Sequence, residues 1–413
     1  MTRKFRGKNK RKSRKDIAYL NRHLNTDPKK VISFASVLEE STLAQAEELA
    51  QLPFIYPHVA LMPDAHTGLG SSVGTVFGTI DAVIPAAVGV DIGCGMIAVR
   101  TQFTAADLEG KDLTQLRDAI EAAIPLSPGN YNDEWILPGS ADERCRELAK
   151  LAEENDVDLS HSPKWRQQLG SLGGGNHFIE LCLDETDTVW MFLHSGSRGV
   201  GNKIARKHID IAQALMAKWW IPIGNNDLAY FVQGTPEFDS YIRDLHWAQR
   251  FAFLNREEMM DRFNACLAEF MGEEVQEIQR INCHHNYTER EEHCGRTVWL
   301  TRKGAVHADE GRFALIPGSM GTASYVVEGK SNVASLRSAP HGAGRRFSRT
   351  EARRRFTVDD LAHRMTGIVY RQGEEWIDEI PDAYKDIDQV MEDSKDLVEI
   401  KHKLRQVLNV KGT

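Results

Sequence analysis

Glycine clusters at the ends of short apolar runs, and this pattern recurs from Pro63 to Gly344. VGTVFGTI and AVIPAAVGV lead into GVDIGCG, GSLGGGNHFIEL and TVWMFLHSGSRGVG each join an apolar run to a glycine-rich turn, and similar turns fill residues 281–345. Glycine accepts positive φ and lets two backbones approach closely, so these segments read as short strands or buried loops packed tightly together. Helical patterning falls elsewhere: over 36–51, 104–124, 140–155, NKIARKHIDIAQALMAKWW, the insertion-like stretch 238–280, and DIDQVMEDSKD before a last strand-like run to NVKGT. A chain of 413 residues often divides into two or three domains. Here the residues with chemical potential are spread from Asp64 to Lys411, and no cut separates them into functional units. The expectation is an α+β fold: one large interwoven domain over residues 23–413, with mixed and antiparallel sheets and flanking helices.

The six cysteines (Cys94, Cys145, Cys182, Cys266, Cys283, Cys294) follow no disulfide spacing, and a chain of this size can bury a core without any. With no secretory signal and no long apolar span, the expected location is the reducing cytoplasm, away from membranes. The formal net charge of −8 hides an asymmetry: residues 1–15 carry nine basic side chains and no acidic one, so the remainder stands at −17. The stretch 1–22 is assigned as a flexible basic arm. Such an arm on an acidic body fits nucleic-acid binding through phosphate contacts, or equally a solvated tail.

Six segments carry chemistry. In GVDIGCG, Asp91 and Cys94 stand three apart among glycines. A carboxylate and a thiolate at that spacing can converge on a cation such as Mn or Zn; a tight turn with an inert buried cysteine has the same sequence. His177, His194 and His285 each sit beside glycine or Asn at the edge of an apolar run, where a strand end would present an imidazole to a shared cleft. Together with Asp91 and Cys94 they suggest a dinuclear centre, with the adjacent His284 left ambiguous. The run 302–325 offers Lys303 and the turn Pro317-Gly318-Ser319-Met320, able to hold phosphates or to be a plain β-turn. In SAPHGAGRRFSRTEARRR, small residues flank His341, which could be a nucleophile toward phosphorus. Arg345, Arg349 and Arg353 would share one helix face, a stripe suited to RNA phosphates or to solvent.

Taken in order, MPDAHTGLG, VGVDIGCGM, LGGGNHFIEL, HSGSRGVG, NCHHNYTE, TRKGAV, IPGSMGTASY, HGAGRRFSR and the terminal VKG resemble the successive signature blocks of RtcB RNA ligases, over residues 62–412. The resemblance implies the RtcB-type fold, two Mn(II) ions, and GTP as cosubstrate. By motif, Asp91, Cys94, His177, His194 and His285 would be the metal ligands, with Cys94 bridging, and His341 the residue that takes GMP. Guanylate contacts would come from Asn176, His177, Phe178, Ile179, Glu180, His285, Asn286, Pro317, Gly318, Ser319, Met320, Ser324, Gly342, Ala343, Gly344 and Lys411. Arg198, Lys303 and Arg345 resemble the family's phosphate-gripping residues, while Asp64 and His66 line the same cleft without an assigned role. The implied activity joins an RNA 3′-phosphate or 2′,3′-cyclic phosphate end to a 5′-hydroxyl end, in RNA repair or tRNA splicing, with an archease-like activator as a candidate partner. Pro340, Arg346 and the basic arm depart from the commoner family wording and suggest a divergent branch. Two rivals are a metal-dependent cyclic phosphodiesterase, which would need neither His341 nor Lys411, and a non-catalytic RNA-binding protein, which would need no metal ligands.

Overall fold

The computed structural model describes residues 30–133 and 140–412. The basic arm assigned to residues 1–22 lies outside them. Two sheets face each other. The larger has seven strands in the order Phe313–Ile316, Ser324–Gly329, Val398–Lys411, Phe178–Leu183, Thr188–Ser195, Gly95–Thr104 and Gln279–His284, every neighbouring pair antiparallel. The smaller has five: Val31–Ser33, Ile55–His66, Val73–Thr79, Arg296–Lys303 and Asn286–His293. Its first pair is parallel and the rest antiparallel.

Side-chain alternation along the strands separates the layers. Met96 and Ala98, Trp190 and Phe192, and Ala60 and Met62 point into the core between the sheets. Ile97 and Val99, with Met191 and Leu193, point to the other face of the seven-stranded sheet. There they meet Leu116 and Ile120 of helix Leu113–Ala123, and Met259 and Phe263 of helix Pro236–Met271. Val59, Leu61 and Phe77 cover the outer face of the smaller sheet under Ala46 and Leu49 of helix Glu40–Ala50. The result is a helix–sheet–sheet–helix stack, the expected α+β domain. Each large apolar side chain buried in it contributes about 1.5–3 kcal/mol.

The long helix differs from its sequence pattern at one end and in its role. Pro236 at its first turn and the Thr235 side chain, which accepts from the Phe238 N–H, start it. Gly272, at φ 77°, stops it eight residues before the expected 280. The apolar spacing continues past the glycine, but Gln279–His284 is the edge strand beside Gly95–Thr104. Nor is the helix an added layer: it packs on the sheet and sends Asn255 and Arg256, both fully buried, toward the site. Among the described residues no helix is long and apolar enough to cross a membrane, and all six cysteines are free.

Candidate metal and nucleotide site

Strand register assembles the site. Phe178 pairs with both Lys411 and His194, His194 with Met96, and Gly95 with His284. The residues at one end of five adjacent strands therefore form a row: Lys411, His177, His194, Cys94 and His285. After His285 the chain leaves the larger sheet and enters the smaller one at Asn286, opposite Lys303. Gly95 is required in this row, because a Cβ there would lie 2.0 Å from the Cys283 carbonyl oxygen.

Two three-donor groups share one sulfur: Asp91, Cys94 and His177, and Cys94, His194 and His285. Cys94 Sγ lies 3.4 Å from His177 Nε2 and 3.3 Å from His194 Nε2. His177 Nε2 is 3.1 Å from Asp91 Oδ2, and the Nε2 atoms of His194 and His285 are 2.8 Å apart. His177 Nδ1 faces the Leu172 carbonyl at 2.9 Å, which turns the Nε2 lone pair toward the cluster. Burial and neighbouring positive groups hold His194 and His285 neutral, well below the usual histidine pKa. Burial would raise Asp91, but His177 and Arg198 outweigh it and bring its pKa down to about 2. The Cys94 thiol is pushed far up by burial and by Asp91; a cation reverses that balance and favours thiolate. A shared sulfur, one carboxylate and neutral imidazoles fit a pair of borderline divalent cations.

The adjacent histidines diverge as neighbours on a strand do. His284 Nδ1 lies 2.8 Å from the Gly93 carbonyl and 3.1 Å from Arg256 Nη2, and so turns away from the cluster. Arg256 donates through Nη1 to the carbonyls of Gly93 and Ser195 and through Nε to Asn282 Oδ1. Asn255 donates to the carbonyls of Ser171 and Gly196 and accepts from the Gly170 and Ser171 N–H groups. These two side chains tie together the loops that carry the donors. Neither is distinguishable in the sequence from an ordinary helix residue.

His341 follows the short strand Ser338–Pro340, and its ring centroid lies 4.6 Å from that of His285. Its Nδ1 is 2.6 Å from Asp64 Oδ2 as an ion-pair contact without hydrogen-bond geometry, and that oxygen accepts from the backbone N–H groups of His341 and Gly342, each at 3.2 Å. Asp64 thus acquires a role the sequence did not assign: it fixes the His341 turn. Gly344 (φ 73°) lets that turn approach, since a Cβ there would lie 2.2 Å from the Asp64 carbonyl oxygen. His66 contacts the same carbonyl through Nδ1, and burial brings its pKa down to about 4.

A cavity of about 310 Å³ opens beside His341. Of the expected guanylate contacts, Asn176, Phe178, Glu180, His285, Asn286, Pro317, Gly318, Ser319, Met320, Gly342, Ala343, Gly344 and Lys411 line it. His177 adjoins it through its carbonyl, which accepts from Lys411 Nζ at 3.3 Å. Ile179 does not line it: strand alternation sends its side chain to the opposite face of the sheet. Ser324 is buried outside the lining, its Oγ without a hydrogen-bond partner. Burial pushes Glu180 up to about 8, opposed by the Lys411 charge and the Asn409 amide.

The basic residues are more occupied than their sequence pattern suggests. Lys303 Nζ donates to the carbonyls of Leu69 and Ser71, and burial lowers its pKa to about 7. Arg345 precedes the helix, which begins at Arg349 after the Ser348 cap. It donates to the Asp378 carbonyl and the Tyr384 hydroxyl. Arg349 pairs with Asp378 and Glu379, and Arg353 with Asp378. The expected arginine stripe is therefore met by two carboxylates of the chain itself. Arg198 starts helix Arg198–Lys218 at φ 58°, with Nε bonded to Ser171 Oγ at 3.2 Å.

A family model described as tRNA-splicing ligase RtcB matches residues 45–412, beginning after the basic arm. The chain is 45% identical over 401 residues to RNA-splicing ligase RtcB of Escherichia coli K12, an alignment covering 91% of this chain and 95% of that protein. It is 31% identical over 422 residues to the tRNA-splicing ligase RtcB of Pyrobaculum aerophilum, covering 86% and 87%.

Proposed function

The chain belongs to the RtcB family and is an RNA ligase, and on that premise we propose that it joins an RNA 3′-phosphate or 2′,3′-cyclic phosphate end to a 5′-hydroxyl end, using GTP as cosubstrate and Mn(II) as cofactor. The observation that carries this reading is the position of His341, between a shared-sulfur donor cluster and a cavity of nucleotide size. With Asp64 Oδ2 2.6 Å from its Nδ1, Nε2 is the nitrogen we assign as the nucleophile.

In the first step His341 Nε2 bonds to the α-phosphorus of GTP and the bond to pyrophosphate breaks. In the second an oxygen of the RNA 3′-phosphate, present already or formed by hydrolysis of the cyclic ester, takes the GMP and frees the imidazole. In the third the 5′-hydroxyl oxygen attacks the activated 3′-phosphate and GMP leaves. Asn176, Phe178, Glu180, the Pro317–Met320 turn and Lys411 hold the guanylate in the cavity they line. Asp91, Cys94 and His177 would hold one cation, and Cys94, His194 and His285 the other; bound there, the ions would neutralise charge on attacking and leaving oxygens. The ligase family sets aside the phosphodiesterase and binding-protein alternatives.

Incubation with α-labelled GTP and Mn(II) tests this route. The unaltered protein should carry label that is lost in mild acid and kept in alkali, as for a phosphorus–nitrogen bond. His341→Ala should take up none, yet still join an RNA whose 3′-phosphate already bears GMP. Label on His341→Ala would refute the assignment.

A further inference from the structure

Asn409 interrupts the apolar end of strand Val398–Lys411, between Leu408 and Val410, in a class of position where asparagine is depleted. Alternation sends Leu408 and Val410 into the helix-side core with Ile179 and Leu181. Asn409 and Lys411 therefore face the other way, onto the guanylate cavity, which both line. Register places Asn409 directly opposite Glu180 and Lys411 opposite Phe178. Asn409 and Glu180, each 2% exposed, thus stand side by side in the cavity wall.

The two ends of the Asn409 amide are unequally satisfied. Its Nδ2 donates to Glu180 Oε1 at 2.9 Å. Burial disfavours the ionised form of Glu180, and the Lys411 charge and this amide favour it. An ionised carboxylate only accepts, so the amide nitrogen faces Glu180 and Oδ1 is left over. Among the described residues Oδ1 has no hydrogen-bond partner, although it is buried. Leaving a buried acceptor unpaired is costly, and native interiors keep few of them. A valine here would continue the apolar strand without that cost. The cavity is where the missing donor can come from.

The Watson–Crick edge of guanine carries two neighbouring donors, N1–H and the 2-amino group. Adenine has an acceptor at N1 and no 2-amino group, and hypoxanthine has N1–H but no 2-amino group. Glu180 and Asn409 present two neighbouring acceptors, the carboxylate and Oδ1. We propose that Asn409 is a specificity-determining residue for the nucleotide: its Oδ1 accepts from the 2-amino group of guanine, while its Nδ2 keeps the Glu180 carboxylate facing N1–H. The inference rests on the guanylate reading of the cavity given above. A site built to bond a polar group rejects the analogue that lacks it, because the site's own partner is then left unpaired.

The test compares α-labelled GTP with α-labelled ITP, whose base is hypoxanthine, in single-turnover labelling of the protein with Mn(II). At equal subsaturating concentrations the unaltered protein should label faster from GTP. Asn409→Ala should reduce the GTP-to-ITP ratio by roughly 2- to 12-fold, the loss expected for one neutral hydrogen bond. Asn409→Asp keeps the acceptor and loses the donor to Glu180, so it should slow both nucleotides while holding the ratio within about twofold. Because the ratio is taken within one preparation, a partly unfolded variant lowers both rates alike and leaves it unchanged. Equal labelling of the unaltered protein by both nucleotides, or an unchanged ratio in Asn409→Ala, would overturn the inference with the route intact. So would an equal fall in Asn409→Asp, which would put the preference on the amide nitrogen acting through Glu180. No label from GTP on the unaltered protein would overturn the route itself, and this inference with it.

Discussion

Replacing Asp64 by asparagine exchanges one carboxylate oxygen for an amide nitrogen where three groups of the His341 turn converge. Oδ2 lies 2.6 Å from His341 Nδ1 and 3.2 Å from the backbone nitrogens of His341 and Gly342. The substituted side chain would keep its oxygen at that point, since an amide N–H₂ would meet two N–H donors there. The contacts then survive, but the negative charge is lost. That charge matters most when Nε2 bonds to phosphorus and the ring becomes positive. An interaction with a charged group contributes about 1.5–3 kcal/mol, so losing the charge should slow guanylation by roughly 12- to 140-fold at about 1.4 kcal/mol per factor of ten. The new nitrogen takes the place of Oδ1, which is buried without a partner, so a loss of about 1–3 kcal/mol in stability should accompany the change. The assay is single-turnover label transfer from α-labelled GTP, at a temperature where a thermal melt shows the variant folded. Joining of RNA already activated with GMP should stay within about threefold of the unaltered rate, because that step needs no nucleophilic imidazole. Guanylation by a folded Asp64→Asn protein at the unaltered rate would refute the role given to Asp64. Equal losses in guanylation and final joining would show that Asp64 supports the whole site and not the nucleophile.

Two further outcomes follow from the same geometry. Cys94→Ser should impair Mn(II) binding, measured by calorimetry, more than Asp91→Asn does, because Cys94 belongs to both donor groups and a hydroxyl stays protonated at neutral pH; an unimpaired Cys94→Ser protein would contradict the shared-sulfur assignment. Deleting residues 1–15, with nine basic side chains, should weaken RNA binding and flatten its dependence on salt while leaving guanylation intact; an unchanged salt slope would make the arm a solubility tail.

Much of the donor set was legible because each donor carries a local mark. Asp91, Cys94, His177, His194 and His285 all stand beside glycine or a polar turn at the edge of an apolar run, where a strand end exposes a side chain. Asp64 carried the same mark but no role, because its partner His341 is 277 residues away along the chain. The arginines were misread for the opposite reason. Spacing of i, i+4, i+8 describes a helix face, but it cannot reveal that Arg345 precedes the helix or that Asp378 and Glu379 fold back onto it.

The sequence by itself determined the family, the α+β class and the residue types available for chemistry, because these depend on composition, periodicity and ordered local motifs. Convergence was decided only in the tertiary structure. A side chain's place in a sheet depends on which residue it pairs with, and a shift of one residue would send the whole strand's side chains to the other face. The pairs Phe178 with His194, Met96 with His194 and Gly95 with His284 bring distant donors to one end of the sheet. The same alternation carries Ile179 away from the cavity while its neighbours Phe178 and Glu180 line it. Arg256 makes the same point from the helical layer. It is a charged residue in a helix pattern, yet it is fully buried because two strand-end carbonyls, on Gly93 and Ser195, meet its guanidinium there. Hydrogen bonding of that kind is satisfied across elements, and no stretch of sequence contains both halves of it.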